Sequence, residues 1–184
     1  MPPPRLIIVT GLPGTGKSTL ARELARRLSL PAFSKDMIKE PLLDALGAGD
    51  PMHSRRLSEV SFAVLFAVVR AHLAAGAGLL IEGNFRAGAH EAALLGALPA
   101  NPPRDISLAQ VLCRCEESLR VARLMERALD PGRHAGHRDA QLAQARGGDG
   151  GVFLDLPGPR IEFDSGAVPP RHAELVAELG ARRG

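Results

Sequence analysis

The sequence predicts an α/β domain in which a parallel β-sheet is covered by helices on both faces. Two observations support this prediction. Short apolar runs alternate along the 184 residues with longer segments of helical periodicity, which is the order of parallel strands joined by crossover helices. The first run, residues 6–9, leads directly into a glycine-rich stretch and then an amphipathic helix. In sheets of this kind ligands bind at the carboxyl ends of the strands.

In the first half of the chain the elements follow from the spacing of apolar residues. A helix from residue 17 to about 28 has apolar residues three or four positions apart, and a proline ends it. Residues 32–33 are a very short strand, and a helix over residues 37–46 stops at a Gly- and Pro-containing break. A long helix over 55–75 then precedes the apolar strand 78–82, which ends in a carboxylate.

The same alternation continues in the second half. A helix over residues 89–98 and a strand over 106–112 flank a proline-rich surface loop. The helix over 116–129 carries three arginines, at positions 120, 123 and 127, on one side. The last elements are a short strand over 160–164 and a closing helix over 171–181.

The stretch over residues 130–151 differs from the rest because it is rich in glycine and charge and poor in apolar residues. A short helix is predicted within it at 140–146. Such a composition favours mobility, as a lid or as a disordered linker. By its length, the whole chain of residues 1–184 is expected to be one domain, with a lid segment at about residues 129–150.

Composition narrows the class of protein. No apolar stretch reaches the roughly 18 residues of a membrane span, and the N-terminus does not have the pattern of a signal peptide. The two cysteines, Cys113 and Cys115, are too close to bridge without strain, so a reducing cytoplasm is expected. The pI of 9.4 suggests nucleic acid, but the net charge is only +3 and six Phe are the only aromatic residues available for stacking bases. Nucleic acid is therefore the less favoured partner.

The motif that carries the most chemistry follows the first strand and has the form G-x-x-x-x-G-K-[ST]. It comprises Gly11, Leu12, Pro13, Gly14, Thr15, Gly16, Lys17, Ser18 and Thr19. Glycines let the backbone turn its N–H groups onto phosphates, and the helix that follows adds the positive end of its dipole. Lys17 is predicted to reach the β- and γ-phosphates, and the Ser18 hydroxyl to hold Mg²⁺. The motif predicts binding of a nucleoside triphosphate.

A second polar group follows the short second strand and contains Lys35, Asp36 and Lys39. A carboxylate at this edge of the sheet can accept the proton of an acceptor hydroxyl as phosphate is transferred. Alternatively, Ser34 or Asp36 caps the next helix, and sequence alone leaves both interpretations open. The two lysines fit a phosphate-bearing substrate as well as they fit simple solvation.

A third group follows the strand over 78–82. Glu82 is predicted to hold Mg²⁺ or its water, because the apolar run aims this carboxylate at the site, and Asn84 and Arg86 are predicted to contact the substrate. The alternative is a turn that merely closes a strand.

Arginines near the lid form the last candidate group. Arg123 and Arg127 share a helix face, and arginines that swing over phosphates neutralise the charge of a transition state. A solvated basic face is the alternative. His134 and His137 are interpreted as loop histidines rather than metal ligands, since no cysteine or carboxylate cluster accompanies them in the sequence.

Together these motifs resemble the P-loop small-molecule kinase superfamily, specifically AAA-type predicted kinases similar to polynucleotide kinase and chloramphenicol phosphotransferase. The resemblance covers nearly the whole chain. It implies a three-layer P-loop NTPase fold with a five-stranded parallel sheet of order 2-3-1-4-5 and a small lid. It also implies that Asp36 is the general base, that Arg123 lies near the adenine and that Arg127 lies near the phosphates. Two residues depart from the family pattern: Lys39 replaces an Arg and Ala135 replaces a Pro.

The sequence thus predicts an ATP- and Mg²⁺-dependent phosphotransferase that acts on a hydroxyl of a small molecule, with Asp36, Lys17 and Arg127 as its catalytic residues. A kinase of nucleic-acid 5′ ends is one alternative. A nucleotide-binding switch with slow ATPase activity is another, and it would need no base at position 36.

Overall fold

The computed structural model of the chain describes residues 3–47, 49–100, 105–134, 136–144, 151–168 and 171–181. In these residues the strands are β1 (Arg5–Thr10), β2 (Ala32–Ser34), β3 (Leu79–Glu82), β4 (Ser107–Arg114) and β5 (Arg160–Asp164). The helices are α1 (Lys17–Leu28), α2 (Lys35–Leu46), α3 (Pro51–Ala74), α4 (Glu91–Leu95), α5 (Glu117–Ala128), α6 (Asp139–Gln144) and α7 (His172–Ala181).

The strands form one sheet in the order β2-β3-β1-β4-β5, and every pairing is parallel. In this register Ile8 of the central strand lies beside Ile81 of β3 and Gln110 of β4. The expected parallel sheet and its order are both confirmed. The order reverses direction at β1, so the carboxyl ends of β1 and β3 open a crevice at the point where ligands bind in such sheets.

Alternate residues of β1 contribute to opposite faces of the sheet, which produces three layers. Leu6 and Ile8 belong to a core cluster formed with α3 and α4. Ile7 and Val9 belong to a second cluster formed with α1 and α7. All four side chains are fully buried, and burial of each contributes about 1.5–3 kcal/mol. The prediction of helices on both faces is confirmed.

Several boundaries differ from the predicted ones because local hydrogen bonds decide them. The third helix begins at Pro51 rather than residue 55, since Asp50 caps it by accepting a bond from the His53 N–H at 2.8 Å. The fourth helix spans only Glu91–Leu95 instead of 89–98, and Gly96 is its C-cap. The helix predicted at 140–146 is α6, and its predicted last two positions, like the tip of the loop at 99–103, lie outside the described residues.

The helix α3 is long and apolar enough to cross a membrane by length and composition alone. This is weak evidence, because a core helix satisfies the same criterion. Here α3 buries Leu57, Phe62, Leu65 and Leu73, three of them in the cluster against β1 and β3. Its apolar character is explained by this packing.

The buried side-chain amide of Gln110 attaches the segment that follows the lid to the sheet. Gln110 is fully buried in β4. Its Nε2 donates to the Leu154 carbonyl at 3.2 Å, and its Oε1 accepts from the Leu154 N–H at 2.9 Å. The side chain thereby satisfies both backbone groups of a segment that belongs to no strand. The sequence analysis did not identify this residue.

We expect Gln110→Leu to lower the free energy of unfolding by about 1–3 kcal/mol, because the Leu154 N–H is left without a partner while the Leu154 carbonyl keeps the bond from the Leu156 N–H. Urea denaturation followed by circular dichroism measures the loss. Gln141→Leu, at an exposed position of α6, is the matched control and should change stability little. Equal stability of the two variants would contradict a structural role for the Gln110 amide.

Candidate active site

The loop between β1 and α1 has a shape that only glycine permits at two positions. Gly11 and Gly14 have φ angles of 145° and 88°. A Cβ at Gly11 would lie 2.4 Å from the Cys113 carbonyl oxygen, and one at Gly14 would lie 2.8 Å from that of Arg120. The loop is therefore packed tightly between β4 and α5. Any side chain at these two glycines would displace the loop.

The end of the loop presents the N-terminus of α1. Gly16 is the N-cap and no side chain caps the helix, so its first N–H groups point into the crevice without a side-chain partner. Helix N-termini of this kind bind anions through their free N–H groups and the helix dipole. Four hydrogen bonds hold the preceding residue, Thr15, and one of them runs from its backbone N–H to the Leu12 carbonyl. Its hydroxyl donates to the Leu12 carbonyl at 2.8 Å, and its carbonyl accepts from the Cys113 thiol and the Ser165 hydroxyl.

Lys17, Ser18 and Glu82 form the polar centre of the site. The Ser18 hydroxyl donates to Glu82 Oε2 at 3.1 Å, and Lys17 Nζ lies 3.8 Å from Glu82 Oε1. Glu82 is buried at the end of β3. Burial raises the pKa of its carboxyl above the usual value, although the Lys17 ammonium acts in the opposite direction.

The oxygens of Ser18 and Glu82 fit a magnesium ion. Mg²⁺ prefers hard oxygen ligands and binds through one or two protein groups together with phosphates and water. A hydroxyl and a carboxylate already in hydrogen-bond contact, beside the free helix N-terminus, provide such a set.

The structure decides which residue caps α2. The Ser34 hydroxyl accepts the Met37 N–H at 3.0 Å, so Ser34 is the cap and Asp36 is not. Asp36 instead lines a cavity with Lys17 and Ser18, and its carboxylate pairs with Lys35 Nζ at 3.2 Å. Burial acts to raise the pKa of Asp36, but the charges of Lys35, His137 and Lys17 outweigh it and hold that pKa below its usual value.

Lys39 lines the same cavity. Its Nζ donates to the Ser54 hydroxyl of α3 at 2.9 Å. Burial, together with the neighbouring Lys35 ammonium, lowers the pKa of Lys39 to about 8. Ser54 and the nearby Ser58 also line the cavity, and the sequence analysis did not identify either of them.

The three arginines predicted on one side of α5 have different surroundings. Arg120 is buried, pairs with Glu117 at 2.6 Å and donates to the Pro13 carbonyl, so it braces the glycine loop. Arg123 donates to the hydroxyl and the carbonyl of Ser165 at 2.8 and 3.0 Å. Arg127 pairs with the buried carboxylate of Asp139 at 3.1 Å.

Two cavities meet at Lys17, Ser18 and Arg127. One, of about 280 Å³, contains the Asp36 and Glu82 carboxylates. The other, of about 380 Å³, lies on the opposite side of the α1 N-terminus and includes Arg123, Phe163 and His172. A cavity of about 580 Å³ between β5 and α7 is larger, but it contains none of the predicted site residues. The two adjoining cavities give room for two ligands that share the phosphate-binding loop.

The described part of the lid segment lies against α2. His137 Nε2 is 2.6 Å from Glu40 Oε1, and His134 Nε2 is 3.0 Å from Asp44 Oδ1. Asp139 binds Arg133 at 2.7 Å in addition to Arg127. These contacts close one side of the smaller cavity. Whether the segment opens stays a prediction, and its residues 135 and 145–150 lie outside the described part of the chain.

The expectation that no carboxylate cluster accompanies the histidines is wrong. Asp36, Glu40 and His137 bring one potential ligand atom each within 4.8 Å of one another. His137 lies 97 residues beyond Glu40 in the sequence, so no spacing motif could reveal this cluster. Lys35 and Lys39 line the same cavity, and their charges oppose a cation at this position.

Most of the predicted site residues are brought together. Nine line the smaller cavity: Pro13, Lys17, Ser18, Lys35, Asp36, Lys39, Glu82, Asn84 and Arg127. Arg86 does not lie with them, because its side chain is exposed and its described bonds are those of its backbone, to His90 and Ala89. Arg133, Arg138 and Asp139 also line the cavity and were not among the predicted site residues.

A comparison with protein families identifies the chain. A family model described as an AAA domain matches residues 6–147, which includes the glycine loop, α2 and most of the lid segment. The chain belongs to this AAA-domain family. Comparison with curated proteins yields no match.

Solved structures agree with this family assignment. A candidate kinase from Chloroflexus aurantiacus superposes with a TM-score of 0.82 at 31% identity, covering 97% of this chain and 98% of that one. A sugar kinase from Janibacter sp. has a TM-score of 0.61 at 18% identity, with 97% and 92% coverage. The APS kinase of Mycobacterium tuberculosis, solved with AMPPNP and APS, has a TM-score of 0.58 at 19% identity, with 99% and 98% coverage. The resemblance to P-loop small-molecule kinases is confirmed.

We expect Lys17→Ala to reduce nucleotide affinity by about one to two orders of magnitude. The ammonium is the cation nearest the α1 N-terminus, and a hydrogen bond to a charged group contributes about 1.5–3 kcal/mol. Calorimetric titration with AMPPNP measures the change. Arg26→Ala, at an exposed position of the same helix, is the control and should bind normally. Unchanged affinity in Lys17→Ala would remove the loop from nucleotide binding.

Proposed function

We propose that the protein is an ATP-dependent kinase that transfers the γ-phosphoryl group to a hydroxyl of a small-molecule acceptor. One observation carries the proposal. The Asp36 carboxylate, free of the capping role, faces the same cavity as Lys17 and Ser18. A carboxylate beside the phosphate-binding loop is what an acceptor hydroxyl requires and what a simple nucleotide switch does not.

The proposed transfer moves one proton and one phosphoryl group. The acceptor oxygen attacks the γ-phosphorus, the bond from that phosphorus to the β,γ-bridging oxygen breaks, and ADP leaves. The hydroxyl proton passes to Asp36. Because its pKa is held below the usual value, this carboxylate is ionised at neutral pH and is ready to accept the proton.

The charge that develops on the phosphates has several partners in the site. Lys17 and the N–H groups of α1 are placed to bind the β- and γ-phosphates. Arg127 and Arg133, held by Asp139, lie across the smaller cavity. Ser18 and Glu82 would hold Mg²⁺, which supplies further neutralisation of phosphate charge when bound.

The larger of the two adjoining cavities is assigned to the nucleoside. Arg123, Phe163 and His172 give it two flat rings and a planar guanidinium, and such groups stack on a base. The relation to P-loop kinases supports this assignment, as does the AMPPNP in the M. tuberculosis enzyme of the same fold.

The smaller cavity favours a small acceptor over a nucleic-acid end. At about 280 Å³ it lies at the lower limit for small-molecule pockets. Apart from the His137 imidazole, no aromatic ring is among the described residues that line it. A platform on which a nucleobase could stack is therefore not found in this part of the chain.

We expect Asp36→Asn to bind ATP normally and to lose two to four orders of magnitude in acceptor-dependent turnover, the usual contribution of a general base. Ser34→Ala is the complementary variant. It removes the α2 cap, so it should lower stability by about 1 kcal/mol while the chemical step is preserved. Calorimetry, ADP release and thermal unfolding separate the two effects. Full turnover in Asp36→Asn would exclude Asp36 as the base.

A further inference from the structure

The proposed nucleotide does not neutralise all the cationic side chains of the smaller cavity. Six cationic side chains line it, at positions 17, 35, 39, 127, 133 and 138, against the three carboxylates Asp36, Glu82 and Asp139. The triphosphate accounts for Lys17, Arg127 and Arg133 in the proposed function. Lys35 already pairs with Asp36. Lys39 and Arg138 remain, and neither makes an ion pair with a carboxylate among the described residues.

The surroundings of Lys39 supply a hydroxyl but no carboxylate in ion-pair contact. Its ammonium contacts the Ser54 hydroxyl, and no carboxylate among the described residues makes an ion pair with it. Because the Ser54 oxygen accepts from Lys39, the proton of that hydroxyl remains available to donate. The charged groups that face Lys39 are Lys35 and Asp36 on α2 and Arg138 on the lid segment. Two of these three are cations.

An ammonium that is partly withdrawn from water is costly unless a partner compensates it. This cost shows in the pKa of Lys39, which burial and Lys35 lower to about 8. A surface lysine kept only for solubility would be fully hydrated and would not lie between two helices. The arrangement of Lys39 and the Ser54 hydroxyl matches a ligand that carries negatively charged oxygens.

We propose that the acceptor is a small polyhydroxy compound bearing one anionic group, a carboxylate or a phosphate monoester, bound by Lys39 and the Ser54 hydroxyl. This proposal rests on the proposed kinase function. The anion lies at the Lys39 end of the cavity, and the hydroxyl that receives phosphate lies at the Asp36 end. Asn84 and Ser58, which also line the cavity, provide partners for further hydroxyls. The volume of about 280 Å³ limits the acceptor to the size of a sugar acid or sugar phosphate.

The test compares acceptors that share a carbon skeleton and differ in one terminal group, which is neutral or anionic. Glycerol, glycerate and glycerol 3-phosphate form one set, and sorbitol, gluconate and sorbitol 6-phosphate form another. ADP release with each gives kcat/KM. We expect an anionic member to exceed its neutral counterpart by tenfold or more, and the preferred anion distinguishes a carboxylate from a phosphate ester. Neutral acceptors that react as well as the anionic ones would overturn the proposal.

Variants at position 39 test whether the preference for anionic acceptors depends on Lys39. Lys39→Met should lower kcat/KM for the anionic acceptor by about 10–100-fold, mainly through KM, and should lower it much less for the neutral acceptor. Lys39→Arg should retain most of the activity. Arg56→Met removes the same charge at an exposed position of α3 outside the cavity and should match the wild type. An equal loss for neutral and anionic acceptors would assign Lys39 a purely structural role.

The pH profile gives an independent readout. Above its pKa of about 8 Lys39 loses its proton and its positive charge, so kcat/KM for the anionic acceptor should fall as the pH rises through this value. The kcat/KM for the neutral acceptor should not fall in this pH range. In Lys39→Arg the fall for the anionic acceptor should disappear, because arginine stays charged. A limb near pH 8 that persists in Lys39→Arg would contradict the assignment.

If no acceptor stimulates ADP release, the kinase proposal fails, and binding decides the anion site separately. The protein with Mg²⁺ and AMPPNP is titrated with glycerol 3-phosphate and gluconate by calorimetry. Binding that Lys39→Met abolishes and Arg56→Met preserves would support the anion site. The absence of binding by every anionic member of the panel would overturn it.

Discussion

The site depends on a single buried carboxylate, Glu82, that lies between the ammonium of Lys17 and the hydroxyl of Ser18. It ends β3, the strand next to the glycine loop in the sheet. A charge at this depth is costly unless it is paired, and burial accordingly raises its pKa. The buried carboxylate is therefore stabilised by the lysine and the hydroxyl that contact it. Both of these groups lie at the N-terminus of α1.

The same constraint explains why the neighbouring elements carry so many charges. Around Glu82, Asp36 faces the cavity from α2, and Asp139 holds two arginines from the lid side. Each of these carboxylates has at least one cation as its partner, and Lys39 is the cation that has only a hydroxyl. In the proposed function, anionic ligands therefore bind on two sides of Lys17. The fold supplies one crevice for both because its strand order reverses at β1.

Local sequence patterns were sufficient for the features that depend on local chemistry. The glycine loop, the strand ending in Glu82 and the parallel sheet follow from spacing and from backbone preferences, and the family resemblance gave the strand order. Which residue caps α2 could not be decided, because Ser34 and Asp36 are both good caps and only the backbone geometry selects Ser34. The exposed side chain of Arg86 could not be foreseen for a similar reason, since the direction of a turn decides it.

Contacts between residues that are distant in sequence could not be predicted from sequence spacing. Gln110 and Leu154, or His137 and Glu40, are joined by hydrogen bonds across many intervening residues. No periodicity relates such pairs. The cluster of Lys39 with Ser54 arises in the same way, from the packing of α2 against α3. The sequence therefore indicated a substrate role for Lys39 but not the hydroxyl of Ser54 beside it.

The central claim is that phosphate leaves ATP for an acceptor hydroxyl rather than for water, and the destination of the γ-phosphate tests it most directly. The protein is incubated with Mg²⁺ and ATP radiolabelled in the γ-phosphate, with and without a pool of polyols, sugar acids and sugar phosphates. The products are then separated by chromatography. The account predicts that label accumulates in phosphate esters faster than in inorganic phosphate when the pool is present. Release of label only as inorganic phosphate, at a rate independent of the pool, would contradict it.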